Sequence, residues 1–237
     1  TPLAALPDMP SASDGLPAMG AVNWIGLKTL YMREVRRFIK VYTQTLVAPL
    51  ITTMLFLAVF ALALGGEHRV VAGMPFMTFL APGLIMMAIA QNAFANTSSS
   101  LMIGKIQGNI VDSLMAPLNA HELTFGFAIG GMTRGVAVAV VVGVAMAMTV
   151  DLGLHDPFLV VYHAVMGALM LSLLGLAGGI WADKFDHIAA VTNFVITPLS
   201  FLSGTFYSIE RLPQGVQIAA HFNPFFYMID GFRYGFI

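Results

Sequence analysis

The stretch LTFGFAIGGMTRGVAVAVVVGVAMAMTV, residues 123–150, is apolar from end to end except for Arg134. A helix needs roughly 20 residues to cross a hydrocarbon core about 30 Å thick, so this stretch predicts a membrane span. The same pattern recurs near residues 43–64, 76–97, 158–181 and 188–206, with short polar joints between. Hydrocarbon offers no water to backbone groups, so each segment is expected to bond internally as a helix. The expected fold is an all-α polytopic membrane protein.

Composition agrees. Hydrophobic residues make up 58% of the chain and charged residues 10%, against about 25% charge in an average soluble domain. The absence of cysteine excludes disulfides, thiolate metal sites and cysteine nucleophiles. Residues 1–20 hold Pro2, Pro7, Pro10 and Pro17 among small residues and read as a flexible tail. They lack the basic region and short apolar core of a signal peptide.

Lysine and arginine placement sets the expected orientation. Lys28, Arg33, Arg36, Arg37 and Lys40 precede the first span; Lys105 and Lys184 lie in the second and fourth joints. Arg69, Arg211 and Arg233 are on the other side. The bias predicts a cytoplasmic N-terminus, with the joints near 104–121 and 182–187 also cytoplasmic.

Residues 21–42 predict an interfacial amphipathic helix. Trp24, Leu27, Tyr31, Val35, Phe38 and Tyr42 fall on one face, and Arg33, Arg36, Arg37 and Lys40 on the other. Such a helix rests its apolar side in the acyl boundary and turns its basic side toward anionic headgroups. Residues 43–237 form the membrane domain. Its second span carries Asn92, Asn96 and Ser99 at i, i+4, i+7. That polar face either bonds across helices or lines a wet path. In the joint GKIQGNIVDSLMAPLNAH, Ile106, Ile110, Leu114 and Met115 are spaced for a mostly buried, short amphipathic helix ended by Pro117. Gly126/Gly130, Gly131/Gly135 and Gly175/Gly179 permit close helix approach, in a tight bundle or a dimer. Past the fifth span, the aromatic stretch broken by Gly204, Pro213, Gly215 and Pro224 predicts two short re-entrant helices within 207–231, starting near Ser208 and Asn223.

Catalytic signals are weak. His121-Glu122 opens like a zinc-protease helix, but Phe125 stands where the second histidine is required. Asp183, Asp186 and His187 read as a solvated turn rather than a metal site. No P-loop occurs, so the chain has no ATP site of that kind. The spans hold almost no carboxylates, unlike an ion-coupled carrier. A membrane-embedded lipid-modifying enzyme and an ATP-independent channel or carrier remain alternatives from the residues alone.

Three stretches resemble one family: FLAPGLIMMAIAQNAFANTSSSL at 79–101, GKIQGNIVDSLMAPLNAHEL at 104–123, and PLSFLSGTFYSIERLPQGVQIAAHFNPFFYMIDGFRYG at 198–235. They resemble the ABC-2 type permeases, membrane subunits of bacterial ATP-binding-cassette exporters for drugs, nodulation factors and surface polysaccharides. The likeness covers roughly residues 22–237. It implies a six-helix, type V exporter-like domain, of which the sixth span is expected to be cut off here. It also implies a separate P-loop ATPase carrying ATP and magnesium, while this chain binds no cofactor. A second permease chain, expected to be identical, would pair in the bacterial inner membrane, among membrane lipids and with no nucleic acid. The coupling loop would comprise Ile106, Ile110, Asp112, Ser113, Leu114, Met115 and Pro117, with Trp24, Arg33, Arg36 and Arg37 on the interfacial helix. Asn92, Asn96, Ser99, Phe201 and Phe206 are the candidate lining of a path for an amphiphilic substrate: a lipid, a lipid-linked glycan or a hydrophobic drug. Glu210, Pro213, Asn223 and Pro224 would mark the re-entrant region.

Overall fold

The structure, a computed structural model, describes residues 22–64, 70–71, 73–209 and 212–236. Among the described residues, five helical segments are long and apolar enough to cross a membrane: Thr43–Ala63, Phe76–Gln107, Ala120–Ala147, Pro157–Trp181 and Phe185–Leu202. In chain order the elements are α1 (Trp24–Lys40), α2 (Ala48–Leu64), the hairpin β1–β2 (Val70–Val71, Met74–Pro75), α3 (Phe76–Gln107), α4 (Ile110–Leu114), α5 (Ala120–Ala147), α6 (Pro157–Trp181), α7 (Phe185–Val191), α8 (Thr197–Leu202), α9 (Gln214–His221) and α10 (Pro224–Tyr234). The hairpin pairs Val70 with Pro75 and Val71 with Met74, turning at Gly73 with φ +81°.

Local chemistry sets the helix ends. Asn119 and Glu122 form a reciprocal capping box at the start of α5. Asp156 accepts from the Phe158 and Leu159 N–H groups, and Pro157 opens α6. Gly108, at φ +77°, closes α3. The first and fifth spans share a device. A π-helical turn, Thr43–Val47 or Thr192–Ile196, stands just before Pro49 or Pro198. Proline removes a donor and crowds the carbonyl four residues back, here Thr45 or Phe194, and the wider turn relieves that crowding.

Helix α3 is the axis of the bundle, buried along most of its length, with α5 and α6 packed on it. Small residues permit this closeness. A Cβ on Gly131 would stand 2.2 Å from Ser172 Oγ, and one on Gly175 2.4 Å from the Phe94 carbonyl oxygen. Hydroxyls add cross-links: Thr97 Oγ1 donates to the Ser172 carbonyl at 2.7 Å, and Ser172 Oγ to the Ala128 carbonyl at 2.8 Å. All three glycine pairs are therefore occupied within one chain, Gly126 and Gly130 by α1, the others by the α3–α5–α6 contacts.

Several boundaries differ from expectation. The second span continues past residue 97 to Gln107, so Ile106 ends α3 instead of joining the short helix, because the chain breaks only at Gly108. The fifth span stops at Leu202, leaving Phe206 in the following turn. The first of the two terminal short helices starts at Gln214, after Pro213, not near Ser208.

Candidate functional site

The site grows from α1, whose buried stripe is Leu30, Glu34 and Phe38. One member of the basic face differs from expectation: Arg37 turns inward, away from Arg33, Arg36 and Lys40, while Trp24, 72% exposed, and Tyr42 stay on the surface. The reason lies on α5. Gly126 leaves room for Leu30, and Gly130 leaves room for Glu34, whose Cβ would stand 2.6 Å from a Cβ added there. Helix α1 thus packs on the bundle through a stripe that includes a carboxylate.

Glu34 is 1% exposed, and its charge is matched on three sides. Its Oε1 accepts from Ser100 Oγ at 2.8 Å and lies 3.5 Å from Arg33 Nη2. Its Oε2 accepts from Arg37 Nη2 at 3.1 Å and Nε at 3.3 Å. Arg37 reaches on to α3, donating to the Asn96 carbonyl at 2.7 Å, to Asn96 Oδ1 at 3.0 Å and to Ser99 Oγ at 3.3 Å. One turn away, Arg134 of α5 donates to Asn92 Oδ1 at 2.9 Å. The polar face of Asn92, Asn96 and Ser99 exists as its spacing predicts, but α1 and α5 cover it.

At its other end α1 clamps α4. Arg33 Nη1 donates to Ser113 Oγ at 2.9 Å, and the Arg33 guanidinium lies 5.6 Å from the Phe127 ring centre. Asn23 Nδ2 donates to the Pro117 carbonyl at 2.9 Å, and its N–H to Glu122 Oε1 at 2.6 Å. A groove of about 960 Å³ runs between α1, the end of α3 and α4, bordered by Lys28, Arg33, Arg36, Arg37 and Lys40. Helix α4 is mostly exposed, against the expectation of a mostly buried one. Only Ser113 is buried, and Val111, Leu114 and Met115 point outward, Met115 with 80% of its surface exposed. Five residues cannot hide two faces, and Ser113 is the one that α1 covers.

The opposite end carries a second polar knot. Asn223 caps α10 by accepting from the Phe225 N–H, and donates to the Leu199 carbonyl and Ser203 Oγ. Pro224 opens α10. Arg233 is buried, stacks 3.8 Å over the Phe79 ring and donates to the Phe79 and Gly204 carbonyls. Burial lowers its pKa to about 10 while nearby Asp230 pulls it back up, so it stays charged at neutral pH. Burial also pushes the Tyr207 phenol up. Phe206 stacks on Phe60 at 4.5 Å and on Phe201 at 5.1 Å, joining the ends of the first and fifth spans. Glu210 lies outside the described residues. The candidate lining residues thus fall into two separate places, the asparagine face under α1 and the phenylalanines beside α2.

In the sequence Glu34 has no assigned role, Glu122 stands only as the start of a failed zinc motif, and Arg233 only as a charge on the outer side. The signal for Glu34 was present: it stands at i+4 from Leu30 and i−4 from Phe38.

The ABC-2 type transporter model matches residues 26–237. The chain is 40% identical over 214 residues to "Inner membrane transport permease YadH" of Escherichia coli (strain K12), covering 90% of this chain and 84% of that one. It is 25% identical over 220 residues to "Nodulation protein J" of Rhizobium leguminosarum bv. trifolii, covering 90% and 81%. No solved structure matches it. With the family model spanning nearly the whole chain and the bundle built as described, the protein belongs to the ABC-2 type transporter family as a multi-pass membrane permease subunit.

Proposed function

We propose that this permease exports an amphiphilic substrate across a bacterial inner membrane, driven by ATP and magnesium on a separate ATPase subunit that docks on α1 and α4. The observation that carries this reading is mechanical. The exposed apolar knob of α4 is tied to α1 through Ser113–Arg33 and Pro117–Asn23, and α1 is tied to α3 through Glu34, Arg37, Asn96 and Ser100. A push on α4 then reaches the central span without passing through a loop. Apolar knobs buried in a partner supply binding area, and the surrounding cations steer it.

The α4 end is assigned to the cytoplasm, where the lysines and arginines preceding the first span cluster. A second copy of the chain is the proposed partner within the membrane, paired through the first and fifth spans. The proposed substrate path runs past the asparagine face of Asn92, Asn96 and Ser99 and along the aromatic side of those spans, at Phe201 and Phe206. The name of the Escherichia coli relative supports the inner membrane.

The test is purification of the full-length permease from its own membranes in mild detergent, with identification of what accompanies it. The expected result is one stoichiometric P-loop ATPase whose hydrolysis changes on adding back native lipid extract. A permease that carries no ATPase across several detergents would overturn the reading.

A further inference from the structure

Arg134 stands midway along α5, and its partner Asn92 midway along α3. A cation at that depth is costly unless it is matched. Its match is incomplete. Arg134 Nη2 has Asn92, but Nε is buried with no hydrogen-bond partner among the described residues. One turn along α3, Asn96 Nδ2 is also buried and unpartnered, in a residue with 0% exposure. The Asn96 amide cannot turn over to relieve this, since its Oδ1 accepts from Arg37. Charge is equally unbalanced. Glu34 is already engaged by Arg33, Arg37 and Ser100, and no ion pair to Arg134 exists among the described residues. The wedge between α1, α3 and α5 therefore holds spare donors and spare positive charge.

We propose that this wedge binds the anionic headgroup, a phosphate or carboxylate, of an amphiphile. A guanidinium offers its Nε and Nη donors to an oxyanion in the fork geometry that carboxylates and phosphates fit, and Asn96 Nδ2, one turn along α3 from Arg134's partner Asn92, is a further neutral donor. The approach favours a lipid-like ligand over a free ion. Arg37 borders the large groove by α4, whereas Arg134 and Asn92 are not among the residues lining it. Arg134 is only partly buried at mid-span, so the anion that reaches it is one carried on an apolar tail. The inference narrows the substrate class of the function proposed above, and rests on that reading only for the ligand being cargo.

The full-length permease would be reconstituted in nanodiscs of phosphatidylcholine containing phosphatidylglycerol, and retained lipid read by native mass spectrometry. Wild type is expected to retain phosphatidylglycerol preferentially. Arg134→Gln should cut that preference about tenfold, equivalent to about 1.4 kcal/mol, and Arg134→Lys should keep part of it. Asn96→Asp places a carboxylate inside the wedge, and is expected to raise the unfolding temperature while abolishing retention. Equal retention by wild type and Arg134→Gln overturns the site. So does Asn96→Asp that still binds phosphatidylglycerol, an outcome readable even if Arg134→Gln does not fold. Lipid analysis of protein taken directly from its own membranes separates the sources. A bound phospholipid identifies a resident lipid, and another anionic amphiphile identifies cargo; either supports the site. None of these readouts needs the ATPase, so failure of complex formation and failure of this site are seen separately.

Discussion

Glu34 shows how one residue decides the placement of a helix. In the run REVRRFIK it looks like part of a solvated charged face. Its burial is tolerable because Gly130 leaves space, Ser100 donates to it, and Arg33 and Arg37 neutralise it. Breaking a buried pair from one side typically costs about 3–5 kcal/mol, since the other charge is left behind. Glu34→Ala is therefore expected to lower the detergent unfolding temperature and to expose α1 to protease. Glu34→Gln, which keeps the acceptor for Ser100, should be milder. A protease pattern for Glu34→Ala identical to wild type would show that the cluster does not hold α1. The chemistry of this cluster was only partly legible, since its basic members were visible as a group while the inward turn of Arg37 was not.

At the scale of the element, α1 and α5 meet through glycine rather than through an extended apolar seam. Gly130→Val would drive its side chain into Glu34, and overpacking of this kind costs about 1–3 kcal/mol. Gly143, on the same helix, has nothing within 4 Å of an added Cβ, so Gly143→Ala is expected to be neutral or slightly stabilising. Thermal unfolding of the two variants checks the contrast, and equal midpoints would refute this packing. Helix α4 makes a different prediction. Met115→Asp leaves every α1 contact in place but puts charge on the exposed knob. It should preserve membrane insertion and ATPase activity while abolishing export. Unchanged export by this variant would place the docking surface elsewhere. Caps at this scale are local. Asn119 with Glu122 and Asp156 with Pro157 act within one turn, as cap chemistry does.

For the whole molecule, the first span meets the turn after the fifth through Phe60 and Phe206, and both spans leave long apolar faces uncovered, with Ile51 and Phe194 among the exposed residues. They also share a pattern, TQTLVAPL at 43–50 and TNFVITPL at 192–199, each with a π turn before its proline. Pairing of two copies across these faces predicts that Ile51→Cys with Phe194→Cys, in a chain otherwise free of cysteine, forms a linked dimer on mild oxidation in membranes. Val144→Cys, exposed on α5, should not. The reverse pattern would move the interface to α5.

Length and hydropathy alone determined that the chain is a bundle of membrane-crossing helices, because a run of apolar residues must satisfy its own backbone wherever it sits in hydrocarbon. Glycine and proline fix several helix ends locally, as at Gly108, Pro157, Pro213 and Pro224. Tertiary structure alone decided which face of α1 is buried, which helix fills each glycine notch, and where each buried charge finds its match. Arg37 meets Asn96 across 59 residues of sequence, and Glu34 meets Ser100 across 66. No periodicity within a helix encodes a partner at that separation; it is chosen when the helices pack and the cost of an unmatched charge selects one arrangement.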